Sequence, residues 1–225
     1  MHLEEALSSK MDIKAFIFDM DGLLFDSERI VQRSWEMAGD ELGIPHMGDV
    51  IYHTLGMNRT GRNEYFRKYI REDFPFEEFG RLTRDNFWRI VDKEGLPLKK
   101  GVKELLAYGK EQGYKMAVAT SSSREYAMGN LIRAGIDPYF DSVICGDMVK
   151  KAKPDPEIYQ KACESLGIQP EYCMAFEDAP GGILSAHQAG MHVIMVPDLV
   201  QPTQEIRELT YRVCDSLADV IGILN

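Results

Sequence analysis

The chain has 225 residues, with 26 Lys and Arg against 36 Asp and Glu, so its formal net charge is −10. This acidic balance argues against nucleic acid as a partner, because contact with the phosphate backbone needs a basic surface. Apolar residues make up 44% of the chain, but no apolar run reaches the roughly 18–20 residues of a membrane span.

The cysteines, the histidines and the N-terminal residues indicate the cell compartment. The first ten residues, MHLEEALSSK, lack the apolar segment of a secretory signal. The four cysteines form no CxxC pair and the five histidines are scattered, so we expect free or buried thiols and no zinc site. These features predict a cytoplasmic protein without a membrane partner.

Five short apolar runs in chain order are predicted strands, separated by segments with helical periodicity. They cover residues 14–19, 115–120, 142–146, 172–178 and 192–196. Near-continuous apolar runs are typical of strands that are covered on both faces. Strands that alternate with helices predict an α/β fold with a doubly wound parallel sheet.

The interval between the first and second predicted strands breaks this alternation. It contains no strong strand run, and its segments 29–42 and 58–70 read as amphipathic helices. We therefore predict a core domain of residues 1–26 and 97–225, with a helical cap domain of residues 27–96 inserted into it.

Two aspartates end the first predicted strand, in the stretch FIFDMDG (16–22). Residues two apart in an extended chain point the same way, so Asp19 and Asp21 would face one side just beyond the strand. Gly22 permits the tight turn that follows. By itself, such a pair is compatible with an ordinary turn or cap.

Polar residues also follow three later strands. ATSSS (119–123) could hold phosphate oxygens with hydroxyls and backbone N–H groups, or simply cap a helix. Lys153 stands directly before a rigid Pro-Asp-Pro turn, although lysines before a helix are usually just solvated. Glu177 and Asp178 end the fourth run and are suitable oxygen ligands for Mg²⁺. Together these features are far more specific than any one of them.

The four motifs FDMDG, ATSSS, KPDP and FEDAPGG occur in this order, and they resemble those of the haloacid dehalogenase-like superfamily of phosphotransferases. The resemblance covers the chain from about Met11. It is best matched by the β-phosphoglucomutase-like branch, in which a helical cap follows the first motif. The dehalogenases of the superfamily lack the second aspartate, so Asp21 favours phosphate chemistry.

The resemblance implies a role for each motif residue. Asp19 would be the nucleophile that forms an aspartyl-phosphate, and Asp21 would be the general acid–base. Thr120 and Ser121 would hold the transferring phosphoryl group. Lys153 would neutralise charge on both the nucleophile and the phosphate.

The resemblance also implies Mg²⁺ as cofactor. Its ligands would be the Asp19 carboxylate, the Asp21 carbonyl, and Asp178 with help from Glu177. Three carboxylates would then face Mg²⁺ and Lys153, so that a phosphate dianion could approach a nearly neutral site.

The cap would select the substrate. The loop GMNR (56–59) resembles the family's cap loop, in which an arginine, here Arg59, reaches a distal phosphate; the alternative is that Arg59 only begins a surface helix. Trp35 and Arg89 are further candidates for lining the cleft, although Trp35 could instead belong to the core of the cap.

The residue at position 31 helps to distinguish a phosphatase from a mutase. The β-phosphoglucomutase pattern has a cap histidine ten residues after the general acid, where this chain has Val31. We therefore predict a monomeric phosphatase acting on a small phosphorylated metabolite, such as a sugar phosphate. The alternatives are a sugar-phosphate mutase, a phospho-receiver signalling domain, or a protein of this superfamily kept only for protein binding. A dinucleotide-binding module is disfavoured because no GxGxxG follows the first strand.

Overall fold

A computed structural model describes residues 12–54 and 59–224, without the side chains of Arg59 and Thr60. Its described strands form one parallel sheet in the order β3-β2-β1-β4-β5-β6. The strands are β1 (Ala15–Phe18), β2 (Lys115–Thr120), β3 (Ser142–Cys145), β4 (Cys173–Glu177), β5 (His192–Met195) and β6 (Arg212–Val213). The predicted parallel α/β sheet is confirmed. The sixth strand was not predicted, because its two residues are not buried and carry no apolar run.

Helices connect the strands. Within the described residues, five lie between β1 and β2. Four belong to the insert, namely α1 (Ser27–Glu41), α2 (Met47–Thr54), α3 (Arg59–Tyr69) and α4 (Phe76–Glu94), and the fifth is α5 (Val102–Glu111). The helices after β2 are α6 (Arg124–Ala134), α7 (Glu157–Leu166), α8 (Pro180–Gln188), α9 (Gln204–Glu208) and α10 (Leu217–Leu224). Helices α6 and α7 end at Gly135 and Gly167, both left-handed, a conformation that glycine adopts without strain.

The alternation of side chains along β1 explains why the sheet is covered on both faces. Phe16 and Phe18 pack into an apolar cluster with α5, α6 and α10. Ala15 and Ile17 point the other way, into a cluster with α7, α8 and α9. Because β1 lies between β2 and β4, it is buried on both faces and at both edges.

The helical insert has an apolar core of its own. Trp35 of α1 meets Phe66 of α3 and Phe79 of α4 edge to face, with ring centroids 5.6 and 5.7 Å apart. The two connections to the sheet run side by side, since the Asp26 N–H donates to the Pro97 carbonyl at 2.9 Å. The insert therefore follows β1 and returns to β2 through adjacent chain segments. Its description as a separate domain, residues 27–96, stays a prediction.

Two further properties concern the environment of the chain. Within residues 12–54 and 59–224, none of the helices combines the length and the apolarity that crossing a membrane requires. All four cysteines are buried and free.

Candidate active site

The strand order places three of the sequence motifs at one edge of the sheet. Strands β2, β1 and β4 are neighbours, and parallel strands end at the same edge, so Asp19, Thr120 and Glu177 converge there. The Asp19 N–H continues the ladder by donating to the Phe176 carbonyl at 3.0 Å. Asp19 is 7% exposed and Thr120 is 1% exposed. Backbone register thus fixes the positions of these side chains.

Lys153 reaches this edge from the Pro-Asp-Pro turn and bridges two carboxylates. Its Nζ donates to Asp19 Oδ1 at 2.5 Å, to Glu177 Oε1 at 2.6 Å and to the Ala119 carbonyl at 3.0 Å. Burial by itself would lower the pKa of Lys153, but the Asp19 and Glu177 carboxylates outweigh it and raise that pKa. Lys153 is therefore a charged ammonium group at neutral pH, with 10% of its side chain exposed.

The three carboxylates of the site form a suitable donor set for a metal ion. Oxygens of Asp19, Glu177 and Asp178 lie within 4.8 Å of one another. Burial raises the pKa of Asp19 to about 8, with Lys153 opposing and Glu177 adding to the rise. Burial, then repulsion from Asp19 and Glu177, raises the pKa of Asp178 well above its ordinary value. A divalent cation among hard oxygen donors would relieve this repulsion, so the residues fit Mg²⁺.

Glu177 and Asp178 are held in different ways. Glu177 Oε1 accepts from Lys153 and also from the Tyr159 hydroxyl at 2.6 Å, and its side chain is buried. A Cβ added at Gly182 would lie 1.8 Å from Glu177 Oε1, so only glycine fits there. Asp178 is half-buried and lines a cleft of about 360 Å³. Glu177 is therefore mainly the partner of Lys153, whereas Asp178 faces the cleft.

Gly22 is required by both its backbone and its surroundings. Its φ of +84° is in the left-handed region, and an added Cβ would lie 2.3 Å from Asp178 Oδ2. The turn after β1 and the carboxylate after β4 thus pack directly on each other. Any side chain at position 22 would displace Asp178.

Asp21 accepts hydrogen bonds from two hydroxyl groups, contacts that the sequence motifs did not predict. Ser122 Oγ donates to Asp21 Oδ2 at 2.7 Å, and the Tyr126 hydroxyl donates to Asp21 Oδ1 at 3.1 Å. Ser122 lies within the predicted phosphate motif, and its N–H donates to Thr120 Oγ1 at 3.1 Å. Tyr126 lies in the first turn of α6, where no motif residue was expected. Ser121 is exposed at this end of β2.

The helical insert lines a second part of the cleft, of about 460 Å³, beside Asp21. Glu28 and Val31 of α1 line both parts of the cleft. Burial, followed by repulsion from Asp21 and Asp198, raises the pKa of Glu28 to about 7. Sequence reasoning did not single out Glu28 as a site residue, because its role depends on which side chains surround it.

The three residues predicted to line the cleft from the cap differ in where the structure places them. Trp35 is 6% exposed and packs in the insert core, although one side of it lines the cleft near Asp178. Arg89 is exposed, and the described cleft lining contains Arg84 in its place. Arg84 and Trp88 are separated by about one helical turn and share a face, whereas Arg89 is rotated away from it. The loop 56–58 and the side chain of Arg59 lie outside the described residues.

A second ion pair lies near the cleft. Lys99 Nζ donates to Asp198 Oδ1 at 2.5 Å, linking the returning connection of the insert to the loop after β5. Asp198 Oδ2 is buried and has no hydrogen-bond partner within the described residues. A Cβ added at Gly22 would lie 3.5 Å from Asp198 Oδ2, so this oxygen faces the turn after β1. Asp178 packs against the same turn.

Comparison with known proteins gives consistent results. The family model for haloacid dehalogenase-like hydrolases matches residues 13–190. A phosphorylated carbohydrates phosphatase of Thermotoga maritima is 32% identical over 182 residues, covering 81% of this chain and 84% of the relative. Hexitol phosphatase A of Escherichia coli is 32% identical over 186 residues, covering 83% and 84%.

A solved structure from the predicted branch has the same fold. The β-phosphoglucomutase of Clostridium difficile superposes with a TM-score of 0.70 at 24% identity, covering 94% of this chain and 96% of that one. At this identity the likeness concerns the fold. Together with the family match over 13–190 and the four strand-end motifs, it leads to one conclusion: the chain belongs to the haloacid dehalogenase-like hydrolase family and has the fold of its β-phosphoglucomutase-like branch.

Proposed function

We propose that this chain is a Mg²⁺-dependent phosphatase that hydrolyses a phosphorylated carbohydrate through an aspartyl-phosphate. The observation that carries the proposal is the different environment of the two aspartates. Asp19 is paired with Lys153 beside two further carboxylates, whereas Asp21 is held by hydroxyl groups. A nucleophile and a proton carrier need such different surroundings.

In the first step, a carboxylate oxygen of Asp19 attacks phosphorus and the ester P–O bond breaks. Asp21 gives its proton to the departing ester oxygen, so that an alcohol leaves. Lys153 is within hydrogen-bond distance of Asp19 and is placed to offset the charge of the attacking group and of the phosphoryl oxygens. The Thr120 hydroxyl, which accepts from the Ser122 N–H, retains its own proton to donate to a phosphoryl oxygen.

In the second step, Asp21 takes a proton from a water molecule, whose oxygen attacks the phosphorus of the aspartyl-phosphate. The bond between phosphorus and the Asp19 oxygen breaks, inorganic phosphate leaves, and both aspartates return to their starting states. Mg²⁺, when bound, supplies positive charge against the carboxylates and the phosphate oxygens. Asp19, Asp178 and the Asp21 carbonyl would hold it, with Glu177 supporting the set.

The substrate class follows from the relatives and the cleft. Two relatives above 30% identity are named for phosphorylated carbohydrates and hexitols. In this chain, the cleft beside Asp21 combines the apolar Val31 and Trp88 with the polar Glu28 and Arg84. Such a mixture suits the hydroxyl and carbon faces of a sugar or sugar alcohol. Residues 27–96 would serve as the cap that encloses it.

Hydrolysis is favoured over phosphoryl transfer to a second sugar by the identity of residue 31. Val31 lines both parts of the cleft, one of them together with Asp21, and its side chain can neither donate nor accept a proton. A mutase has to keep water from its aspartyl-phosphate until a sugar hydroxyl is present. The signalling-receiver alternative has no support from the relatives, which are hydrolases.

The test measures phosphate release from a panel of sugar phosphates and hexitol phosphates, with hydroxylamine trapping to locate the acyl phosphate. We expect a hydroxamate at Asp19 by mass spectrometry and turnover of at least one carbohydrate phosphate. In a parallel assay, β-glucose 1-phosphate is supplied with a glucose bisphosphate primer. Glucose 6-phosphate formed much faster than free phosphate would overturn hydrolysis and establish the mutase.

A further inference from the structure

Tyr126 connects the helical insert to the second aspartate of the site. Its hydroxyl donates to Asp21 Oδ1 at 3.1 Å. Its ring centroid lies 6.0 Å from that of Phe87 and 5.7 Å from that of Trp88, both on α4 of the insert. One side chain therefore contacts the proposed general acid–base at its polar end and the insert along its ring.

The backbone of Tyr126 belongs to α6, a helix that packs on the sheet. Helix α6 begins after Ser123, whose hydroxyl accepts from the Tyr126 N–H at 3.4 Å. The next turns bury Ala127 and Leu131 in the cluster that packs on β1 and β2. The tyrosine is thus anchored by the core, and only its ring is shared with the insert, where it packs against the cluster containing Ile30, Ile90 and Val91.

The hydroxyl is suited to donate a hydrogen bond. A tyrosine phenol is protonated at neutral pH, so the Tyr126 hydroxyl acts as the donor in its contact with Asp21 Oδ1. Ser122 holds the other oxygen of Asp21 from the same α6 side, so removing the phenol leaves Asp21 with one anchor.

We propose that Tyr126 is a positioning residue, which orients the Asp21 carboxyl toward the leaving oxygen when α4 is packed against α6. The inference rests on the proposed function, because it requires Asp21 to be the general acid–base. It adds a role for the insert in the chemistry itself, besides any role in choosing the substrate. The contact with Phe87 and Trp88 makes the position of the hydroxyl depend on the position of α4.

The leaving group provides a readout that a purely structural tyrosine would not change. An alkyl alcohol leaves as an unstable alkoxide unless Asp21 delivers a proton as the P–O bond breaks. An aryl alcohol such as p-nitrophenol leaves readily without that proton. A misplaced Asp21 should therefore slow attack on an alkyl phosphate more than attack on an aryl phosphate, whereas loss of fold would slow both equally.

The experiment compares Tyr126→Phe with the wild type on the best carbohydrate phosphate and on p-nitrophenyl phosphate. The variant keeps the ring and its packing, so its melting temperature should stay close to that of the wild type. A hydrogen bond to a charged group is worth enough that we expect kcat/KM on the carbohydrate phosphate to fall about tenfold or more. On the aryl phosphate it should fall about threefold or less, and the loss on the carbohydrate phosphate should lie in kcat.

Two further variants complete the test. Tyr139→Phe alters a tyrosine in the short turn beyond the far end of α6 and should match the wild type on both substrates. Phe87→Leu loosens the ring contact on α4 and should show the same substrate-dependent loss, with little added loss in the double variant Tyr126→Phe/Phe87→Leu. Additive losses would show that α4 does not act through the tyrosine.

The outcome separates this inference from the proposed function. If Asp21→Asn abolishes turnover of the carbohydrate phosphate while Tyr126→Phe lowers both substrates equally or neither, the inference is wrong and the proposed function stands. If Asp21→Asn retains turnover, the proposed role of Asp21 fails and the inference fails with it.

Discussion

The carboxyl edge of the sheet and the inner face of the helical insert line the same cleft, but they hold their side chains by different means. At the sheet edge, Asp19 and Lys153 are placed by backbone register, burial and short ion pairs. In the insert, Val31 and Trp88 are placed by apolar packing between helices. The charged groups thus lie in the buried part of the molecule, and the surface over them is formed by partly buried apolar side chains of the insert.

This difference has a physical consequence for how each region tolerates change. A buried ion pair depends on both partners, because removing one leaves an uncompensated charge in a low-dielectric site. An apolar wall depends on volume and shape, and substitutions of similar size are usually tolerated. We therefore expect mutations at the sheet edge to stop the reaction, and mutations in the insert to change which substrates react.

The largest expected effect is at the proposed nucleophile. Asp19→Asn keeps the shape of the side chain but removes the oxygen that we propose attacks phosphorus. Turnover should fall by at least about a thousandfold, while the melting temperature changes little, since Lys153 keeps its ion pair with Glu177. The measurement is phosphate release from a carbohydrate phosphate and an aryl phosphate. Substantial activity of a pure, folded variant would assign the nucleophile elsewhere.

Removal of the metal should have an effect of similar size that is reversible. Exhaustive chelation should abolish phosphate release, and adding Mg²⁺ should restore it, because the clustered carboxylates then regain a cation. Asp178→Ala should raise the Mg²⁺ concentration needed for half-maximal activity about tenfold or more. Glu164→Ala, on an exposed turn of α7, is the control and should leave the Mg²⁺ requirement unchanged. Full activity without divalent cations would contradict the proposed cofactor.

The stability of the two regions can be compared by removing one ion pair from each, that of Lys153 at the sheet edge and that of Arg33 in the insert. Lys153→Met leaves Asp19 and Glu177 buried beside each other without their cation, so we expect a loss of about 3–5 kcal/mol in the free energy of unfolding. Arg33→Met removes a pair with Glu94 on the surface of the insert, with N–O distances of 2.7 and 2.8 Å, and should cost less than about 1 kcal/mol. Urea unfolding without metal measures both. Equal losses would mean that the Lys153 pair is not desolvated as described.

The core of the insert should affect stability and substrate range without removing the chemistry. Phe79→Ala deletes a ring that contacts Trp35 and Phe66 and should cost about 3–4 kcal/mol. Below its lowered melting temperature, the variant should retain most of its activity on an aryl phosphate and lose more on carbohydrate phosphates. Val193→Ala in β5 is the matched control for a cavity in the sheet core. Equal loss of both activities in the folded Phe79→Ala variant would argue that the insert also holds the sheet-edge residues in place.

The smallest effect concerns the acidic residue that faces both parts of the cleft. The pKa of Glu28 is raised to about 7 from an ordinary value of 4.5, mainly by burial. The associated stability is present below about pH 4.5 and is lost as the pH rises through about 7, because ionised Glu28 is then buried near Asp21 and Asp198. Glu28→Gln should therefore flatten the fall in stability over this range in metal-free buffer. Parallel pH profiles for the variant and the wild type would show that Glu28 is solvated.

Much of the carboxyl edge of the sheet could be predicted from the sequence, because its residues are set by local patterns. Apolar runs identify the neighbouring strands, Asp19 directly follows the first of them, and Gly22 marks a turn with positive φ. The parallel fold then requires the strand ends to meet at one edge. For these reasons the fold class and the convergence of the motifs could be predicted from local patterns, whereas the family was indicated by the resemblance of the four motifs.

The tertiary structure decided what depends on contacts between distant elements. The hydrogen bonds from Ser122 and Tyr126 to Asp21 connect residues more than a hundred positions apart. No local sequence pattern predicts them. The choice of Arg84 over Arg89 as a cleft residue depends on which face of α4 meets α1. Side-chain direction on a helix and the neighbours of a half-buried charge are set by how helices pack, and that packing is a property of the whole chain.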